Sequence, residues 1–217
     1  MFQQEQEPNE KIVAITSLYR KSEASNVIFV TKQGMIKKTL LEEYKSAKRN
    51  NGIAAIKIKE GDEIANVIFQ NEEELLLVTK KGMSIRFETN NITPIGRVAM
   101  GVKSIKLEED DEVIKGLPIH KKTDFVGVFT TKGIGKKVNL DEFPIQGRNG
   151  KGVLIYKTTP ITGDVVGAEM LSDEDNVLVM GAKNGICISA KDVPLVSRAS
   201  MGNKMIKESE VVSVVKV

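Results

Sequence analysis

The chain sets Lys and Arg at matching points of a repeated unit, and the chemistry this suits is neutralisation of a regularly spaced polyanion. One group flanks a glycine: Lys32 ahead of Gly34 with Lys37 and Lys38 behind it, Lys80 and Lys81 ahead of Gly82 with Arg86 behind, Lys132 ahead of Gly133 with Lys136 and Lys137 behind, and Lys183 ahead of Gly185. A second group marks a loop that closes on another glycine. It holds Lys48 and Arg49 before Gly52, Arg97 before Gly101, Arg148 and Lys151 before Gly152, and Arg198 before Gly202, with Lys204 just after. Cations of this kind displace the counterions condensed on nucleic-acid phosphates, and such contacts position a backbone without reading bases. Glycines in the same loops would let phosphate oxygens approach backbone N–H groups. A single lysine beside a hairpin turn needs no more than solvation and protection of a strand edge; recurrence at one place in every unit points further. In the fourth unit Ile188 and Ser189 stand where the paired lysines are expected, so that unit should contribute least.

Acidic residues fall elsewhere in the period, at Glu60 to Glu63, Glu72 to Glu74, Glu108 to Glu112 and Asp173 to Asp175. If the units are arranged radially, this predicts one basic rim and a separate acidic edge, despite a net charge of only +3 from 32 basic and 29 acidic residues.

Other chemistries find little support. The single Cys187 excludes an internal disulfide, suits a reducing compartment, and in its apolar strand is expected in the core. His120 is the only histidine and follows a strand end, where exposure is expected; a zinc site or a serine–histidine triad is not supported. No catalytic residue, metal ligand or cofactor is assigned. No apolar run approaches the roughly 20 residues that span a bilayer, and the polar N-terminus resembles no targeting peptide. The expectation is a soluble cytoplasmic protein.

The elements that must hold these cations repeat with them. The first glycines, Gly34, Gly82, Gly133 and Gly185, are 48, 51 and 52 residues apart, and the second, Gly52, Gly101, Gly152 and Gly202, are 49, 51 and 50 apart. An acidic turn before an apolar strand gives a third anchor, as at Asp62-Glu63-Ile64 and Asp111-Glu112-Val113. The units run over about 26–69, 74–119, 125–171 and 176–217. In unit one, extended runs are expected from Val27 to Val30, Met35 to Thr39, Ile53 to Ile58 and Ile64 to Phe69. Lys-Gly and Asn-Gly turns supply the positive φ of tight hairpins. Short helical turns are expected at Leu40 to Tyr44 and Leu140 to Phe143, the second capped by Asn139. Residues 1–9 form a tail, and residues 10–217 one domain. Residues 10–15 resemble the closing strand of an adjoining unit, so either the chain begins inside a longer protein or this strand closes a ring. With no tryptophan and a core of Val, Ile and Leu, four strands in each of four units predict an all-β, propeller-like fold whose units bury their faces against one another.

The strings VTKQGMIKKTLLEEY, VTKKGMSIRFE, GRVAMGVKSIKLEEDDEV and TTKGIGKKVNLDEFPIQGRNGKG resemble the C-terminal domain of the A subunit of bacterial type IIA topoisomerases, DNA gyrase and topoisomerase IV. The resemblance runs from about Glu10 to Val217 and is closest to the last four blades of that domain. It implies a β-pinwheel of about four four-stranded blades that exchange strands, and a basic rim that binds and bends or wraps double-stranded DNA without sequence preference, guiding strand passage for supercoiling, relaxation or decatenation; the alternative is a propeller-type protein-interaction module without DNA binding. It implies a non-catalytic part of an ATP-dependent enzyme: strand cleavage, with its tyrosine, belongs to an upstream domain, and ATP and Mg to the whole enzyme. The implied partners are the ATPase B subunit and the rest of the A subunit. Family members usually carry five or six blades, and the gyrase box QRRGGKG normally lies in the first. Here Gln146, Gly147, Arg148, Asn149, Gly150, Lys151 and Gly152 match five of its seven positions, in the third unit, as a degenerate box.

Overall fold

The computed structural model describes residues 11–15, 24–45, 52–71, 73–120, 123–207 and 210–217. The first unit holds β1 (Asn26–Thr31), β2 (Met35–Leu40), the one-turn helix α1 (Glu42–Lys45) and β3 (Ile64–Gln70). The second holds β4 (Glu74–Thr79), β5 (Met83–Glu88), β6 (Val102–Lys103) and β7 (Val113–Pro118). The third holds β8 (Phe125–Thr130), β9 (Ile134–Asn139), β10 (Val153–Leu154) and β11 (Val165–Leu171). The fourth holds β12 (Asn176–Gly181), β13 (Gly185–Ser189), β14 (Asn203–Lys204) and β15 (Val211–Lys216).

The first three hairpins turn for the same local reason, whereas Gly185, expected to serve the fourth, begins β13 without a positive φ, and that turn is closed by the Gly181 amide on Asn184 O. Gly34, Gly82 and Gly133 take φ of 77°, 84° and 75°, a region a side chain rarely occupies. A buried threonine braces each turn: Thr31, Thr79 and Thr130 accept through Oγ1 from the amides of Met35, Met83 and Ile134 at 3.1, 3.0 and 3.3 Å. One residue earlier, the pairing of β1 with β3 and of β4 with β7 shifts register, turning the inner strand away.

The expected strand exchange is present. The sheets run β3-β1-β2-β6, β10-β5-β4-β7, β11-β8-β9-β14 and β13-β12-β15, so the outermost strand of each of the first three blades comes from the following unit. Three sheets are therefore four-stranded and the last is three-stranded. The 53–58 run, expected as a strand, is irregular, and residues 11–15 are irregular and exposed rather than a closing strand. In both places the neighbouring strand that would complete a ladder is missing among the described residues, and backbone groups with no ladder partner have no reason to stay extended. A short helical turn at Leu140–Glu142 follows β9 as expected, but Asn139 at its start makes no side-chain capping bond.

The core lies between blades. Ile28, Val30, Ile36 and Ile68 of the first blade pack on Leu75, Leu77, Ile85 and Phe87 of the second. Leu76, Val78 and Leu117 pack on Val126, Val128 and Val138 of the third, and Phe129 and Leu171 on Val177, Val179 and Val214 of the fourth. Both faces of an inner blade are buried, which is why β4 and β8 read as nearly continuous apolar runs. The inner strands meet closely: the Gly116 amide donates to Asn66 Oδ1 at 3.0 Å, and a Cβ at Gly167 would lie 2.6 Å from Val214 Cβ.

Candidate nucleic-acid interface

The basic loops lie on the outer edge of the blades, because each is the start of an exchanged strand. Arg86↔Ile145 and Lys137↔Leu195 are parallel bridges at the point where a loop joins the preceding blade. The loop then bulges outward and comes back into register where Lys103 pairs with Met35, Leu154 with Met83 and Lys204 with Ile134. The second glycine sits where the bulge closes. Gly101, Gly152 and Gly202 have φ of 92°, 76° and 87°, and a Cβ there would strike the carbonyl groups of Ile36, Ser84 and Gly135. These glycines therefore serve close strand approach. They are not open cradles for phosphate, as their sequence setting had suggested.

The paired cations after the first glycine hold the blades together. Lys37 and Lys136 are fully buried and Lys137 nearly so, which corrects their expected place on the rim. Lys136 Nζ donates to the carbonyls of Ser197 (3.2 Å), Arg198 (2.6 Å) and Ser200 (2.8 Å), 5.0 Å from the centre of the Tyr156 ring. Lys37 Nζ donates to Ala55 O at 2.6 Å and to Arg97 O, over the Phe29 ring. The second member of each pair reaches the next unit's helical turn: Lys38 to Thr89 O, Arg86 to Leu140 O and Lys137 to Ala190 O, at 3.4, 3.3 and 2.8 Å. Arg86 and Lys137 also pair with Glu74 and Asp173, each at 2.6 Å. In the fourth unit the register places Ile186 and Cys187, not Ile188 and Ser189, at these positions, since Val179 pairs with Ile186 and Leu178 with Cys187. Cys187, expected in the core, is exposed: among the described residues no further strand covers β13. His120 is exposed as expected.

Burial lowers the pKa of Lys37 and Lys38, and takes that of Lys136 down to about 8, with Glu142 opposing and Arg198 assisting. Burial also raises the Tyr156 hydroxyl, which donates to Met201 O at 2.6 Å, to about 12. The lysine shift has a sign that can be tested. Below pH 8 the ammonium is protonated in both states. Between about 8 and its ordinary value of 10.5 the unfolded chain holds the extra proton, so stability climbs with pH. Tyr156 acts oppositely, but only above its ordinary value of 10.0. The urea midpoint should therefore rise from pH 8 to 9.5, and a Lys136→Met chain should show a clearly shallower rise; equal slopes would refute the assignment.

The lysines beside the first glycine lie among acids. Lys32 reaches Glu63 at 3.1 Å and Glu112 at 3.8 Å, Lys80 reaches Glu112 at 3.1 Å, and Lys81 reaches Asp164 at 3.1 Å. The hydrogen bond from Lys32 lowers the Glu63 carboxyl and raises the lysine in turn. The expected separation of basic rim from acidic edge thus fails for this group, because the acidic turn opening each inner strand folds beside its own hairpin turn. Lys132 and Lys183 are exposed at the equivalent turns.

The outer edge keeps the remaining cations. Arg97, Arg148 and Arg198 are half-buried and repeat one contact: each guanidinium donates to the preceding unit two residues past its second glycine, to Ala54 O, Lys103 O and Leu154 O at 3.5, 3.1 and 3.1 Å. The degenerate box lies in this band. Gln146 N donates to Arg86 O, Arg148 also to Asn91 O, Asn149 takes φ 64° with its amide on Ser104 O, Gly150 O accepts from Lys106 N, and Lys151 pairs with Glu108 at 3.0 Å. Gly147 is open, with nothing near its Cβ position. Lys204 is exposed and donates to Lys132 O. Lys48 and Arg49 fall outside the described residues.

One row escaped the sequence reading. Lys57, Lys106, Lys157 and Lys207 each stand five residues after a second glycine, and all four side chains are exposed. The amides of Lys57 and Lys106 donate to Ala99 O and Gly150 O of the next loop at 3.1 and 2.9 Å, which sets these lysines against the loop arginines. Their spacing is visible in the sequence, but the denser basic clusters before the glycines mask it. The arrangement is a row of exposed cations with one member per unit.

A family model described as the DNA gyrase C-terminal domain, beta-propeller, matches residues 25–71, 73–120, 124–172 and 184–217. The DNA gyrase A subunit of Kosmotoga olearia is 37% identical over 209 residues, covering 93% of this chain and 25% of that protein. The DNA gyrase A subunit of Helicobacter pylori strain J99 is 34% identical over 207 residues, covering 94% and 25%. The chain thus spans only a quarter of the length of these relatives. Among solved structures, the C-terminal domain of DNA topoisomerase IV superposes with a TM-score of 0.84 at 30% identity, over 91% of this chain and 64% of that one. The DNA gyrase A C-terminal domain gives 0.79 at 24% identity over 89% and 66%, a likeness of fold.

Proposed function

The chain belongs to the family of DNA gyrase C-terminal domains, and from that premise we propose that it binds double-stranded DNA along its outer edge, without base preference, and bends it. The supporting observation is the exposed row of Lys57, Lys106, Lys157 and Lys207, one per unit around a radial fold, the first two tied through their amides to the next arginine loop. Phosphate neutralisation at regular intervals favours a curved path over base readout, and the bending energy falls where the DNA sequence deforms easily. In this reading the domain performs no chemistry. It guides DNA for strand passage within the larger A subunit of a topoisomerase, whose cleavage site, ATPase partner and ATP and Mg requirements lie outside this chain.

The test is the salt dependence of binding to duplexes of unrelated sequence. Each lysine that neutralises a phosphate contributes roughly 0.9 to the slope of log affinity against log salt. Changing Lys57, Lys106, Lys157 and Lys207 together to Gln should lower that slope by about 3 to 4 and weaken binding for every sequence alike. The same change at Lys32, Lys80, Lys81 and Lys132 should do far less. Equal effects would overturn the proposed edge, and binding insensitive to salt would overturn DNA contact altogether. Ligation of nicked circles in the presence of the protein separates wrapping from simple bending, since only wrapping of fixed hand shifts the linking number.

A further inference from the structure

The outer edge carries an uncharged row beside the charged one. Three residues before the loop arginines Arg97, Arg148 and Arg198 stand Pro94, Ile145 and Leu195, all exposed. Ile145 is 51% and Leu195 48% exposed. The backbone holds them there. Ile145 forms a parallel bridge with Arg86, and Leu195 with Lys137. The Leu195 bridge is closed on both sides, by the Lys137 amide on Pro194 O at 2.8 Å and the Val196 amide on Lys137 O at 3.0 Å. The Gln146 amide on Arg86 O and the Ile95 amide on Lys38 O, at 2.8 and 2.9 Å, repeat the second of these bonds in the other two units.

From that point the outermost segment of each blade alternates apolar and cationic side chains at every third position. The order is Pro94, Arg97, Met100, Lys103 on the first blade and Leu195, Arg198, Met201, Lys204 on the third. On the second it is Ile145, Arg148, Lys151, Leu154, with the last two exchanged in kind. Met201 is 55% and Leu154 37% exposed. The second blade packs between the first and the third, and the third between the second and the fourth. The exposure of Ile145, Leu154, Leu195 and Met201 on these two inner blades is therefore a property of the fold. A single exposed isoleucine needs no explanation. Recurrence at matching positions, each beside a recurring cation, calls for one.

We propose that this uncharged row packs on the deoxyribose rims of the DNA minor groove and thereby selects duplex DNA over duplex RNA. The selection presupposes the DNA contact proposed for the same edge. A cation that holds a phosphate brings the adjoining sugar against the apolar neighbour on the same segment. In DNA that sugar offers only C–H groups at its 2′ position, which isoleucine, leucine or methionine covers without stranding a polar group. In RNA the wide minor groove displays a 2′-hydroxyl at each sugar. Burying that hydroxyl against a side chain that cannot pair with it costs about fivefold or more in affinity per contact. The charged row cannot make this distinction, because both duplexes carry the same phosphates. The apolar row in turn neutralises no phosphate, so it adds affinity without steepening the salt dependence.

The test measures binding of the whole chain to duplex DNA and duplex RNA of one sequence across a salt series. The wild type should bind the DNA roughly tenfold or more tightly. Ile145→Ser with Leu195→Ser should weaken DNA binding on the order of tenfold, leave the salt slope unchanged and weaken RNA binding not at all, so that the preference collapses. Ile145→Met with Leu195→Met should keep both the affinity and the preference. Both positions are exposed and their ladder bonds use backbone atoms alone, so both chains should fold, and circular dichroism checks that they do. A wild type that binds the two duplexes equally overturns the proposal while leaving DNA contact in place. So does a preference that survives the serine pair, or a serine pair whose only defect is a lower salt slope. A wild type that binds neither duplex at low salt overturns DNA contact itself, and this selection with it.

Discussion

Gly152→Ala is expected to destabilise the protein by about 4 kcal/mol or more, an effect reserved for core disruption. Two costs combine. At φ 76° an alanine bears the ordinary left-handed penalty of about 1 to 2 kcal/mol. The larger cost is steric: the Cβ would sit 2.8 Å from the carbonyl carbon of Ser84, and nearer still to its oxygen. Those atoms are backbone in a buried strand and have no rotamer to move into. Relief requires β10 to part from β5, breaking the Val153↔Ser84 pairing and uncovering Ile155 and Tyr156, both fully buried. Two other glycines separate the terms. Gly52→Ala bears only the backbone penalty, with nothing near its Cβ, and Gly147→Ala bears neither. Urea unfolding should rank Gly152→Ala far below Gly52→Ala, with Gly147→Ala close to wild type. If Gly152→Ala unfolded alongside Gly147→Ala, the tight strand crossing would be wrong.

What the sequence made legible was whatever repeats locally. Three of the four hairpin glycines, the apolar runs and the four-unit period follow from residues adjacent in the chain, and the structure keeps them; Gly185 falls inside β13 instead. The identity of each strand's partner does not. Val102 and Lys103 read as part of their own unit, yet they pair with Ile36 and Met35 of the unit before; period and hydropathy are the same for either partner. Exchange itself came from family resemblance. The misplaced lysines fail for a related reason. Lys37 and Lys136 occupy strands covered on both faces, and the atoms that satisfy them, such as the carbonyls of Arg97 and Arg198, lie about sixty residues away. The turn lysines meet acids such as Glu63 and Asp164 that are separated from them in sequence phase but folded beside them. Charge phase along a chain maps onto a face only when the connections between strands are known.

Lys136→Met should lower stability by about 3 kcal/mol, which for a chain of this size is a fall of roughly 6 to 12 °C in Tm. Methionine fills much of the lysine's volume, so the loss isolates the ammonium. Three carbonyls, of Ser197, Arg198 and Ser200, lose their donor at once. Stranding a buried acceptor costs on the order of 1 to 3 kcal/mol. Against this stands relief of a charge that the site itself disfavours, as its pKa of about 8 records, so the three costs do not sum in full. The bulge carrying Arg198 would then lose one of its anchors, keeping the Arg198 contacts to Leu154 O and Glu142, the Tyr156 hydroxyl on Met201 O and the β14 pairing. The second blade shows that a buried cation is not obligatory at this position. There Ile85 stands in its place, and the loop above it is built differently: Asn149 takes φ 64° and its amide donates to Ser104 O. The 198–202 loop has no such residue, since Ala199 and Ser200 keep negative φ. A Lys136→Met chain as stable as wild type would mean that water or loop rearrangement replaces the ammonium, and the lysine would then be a passenger rather than the peg joining these blades.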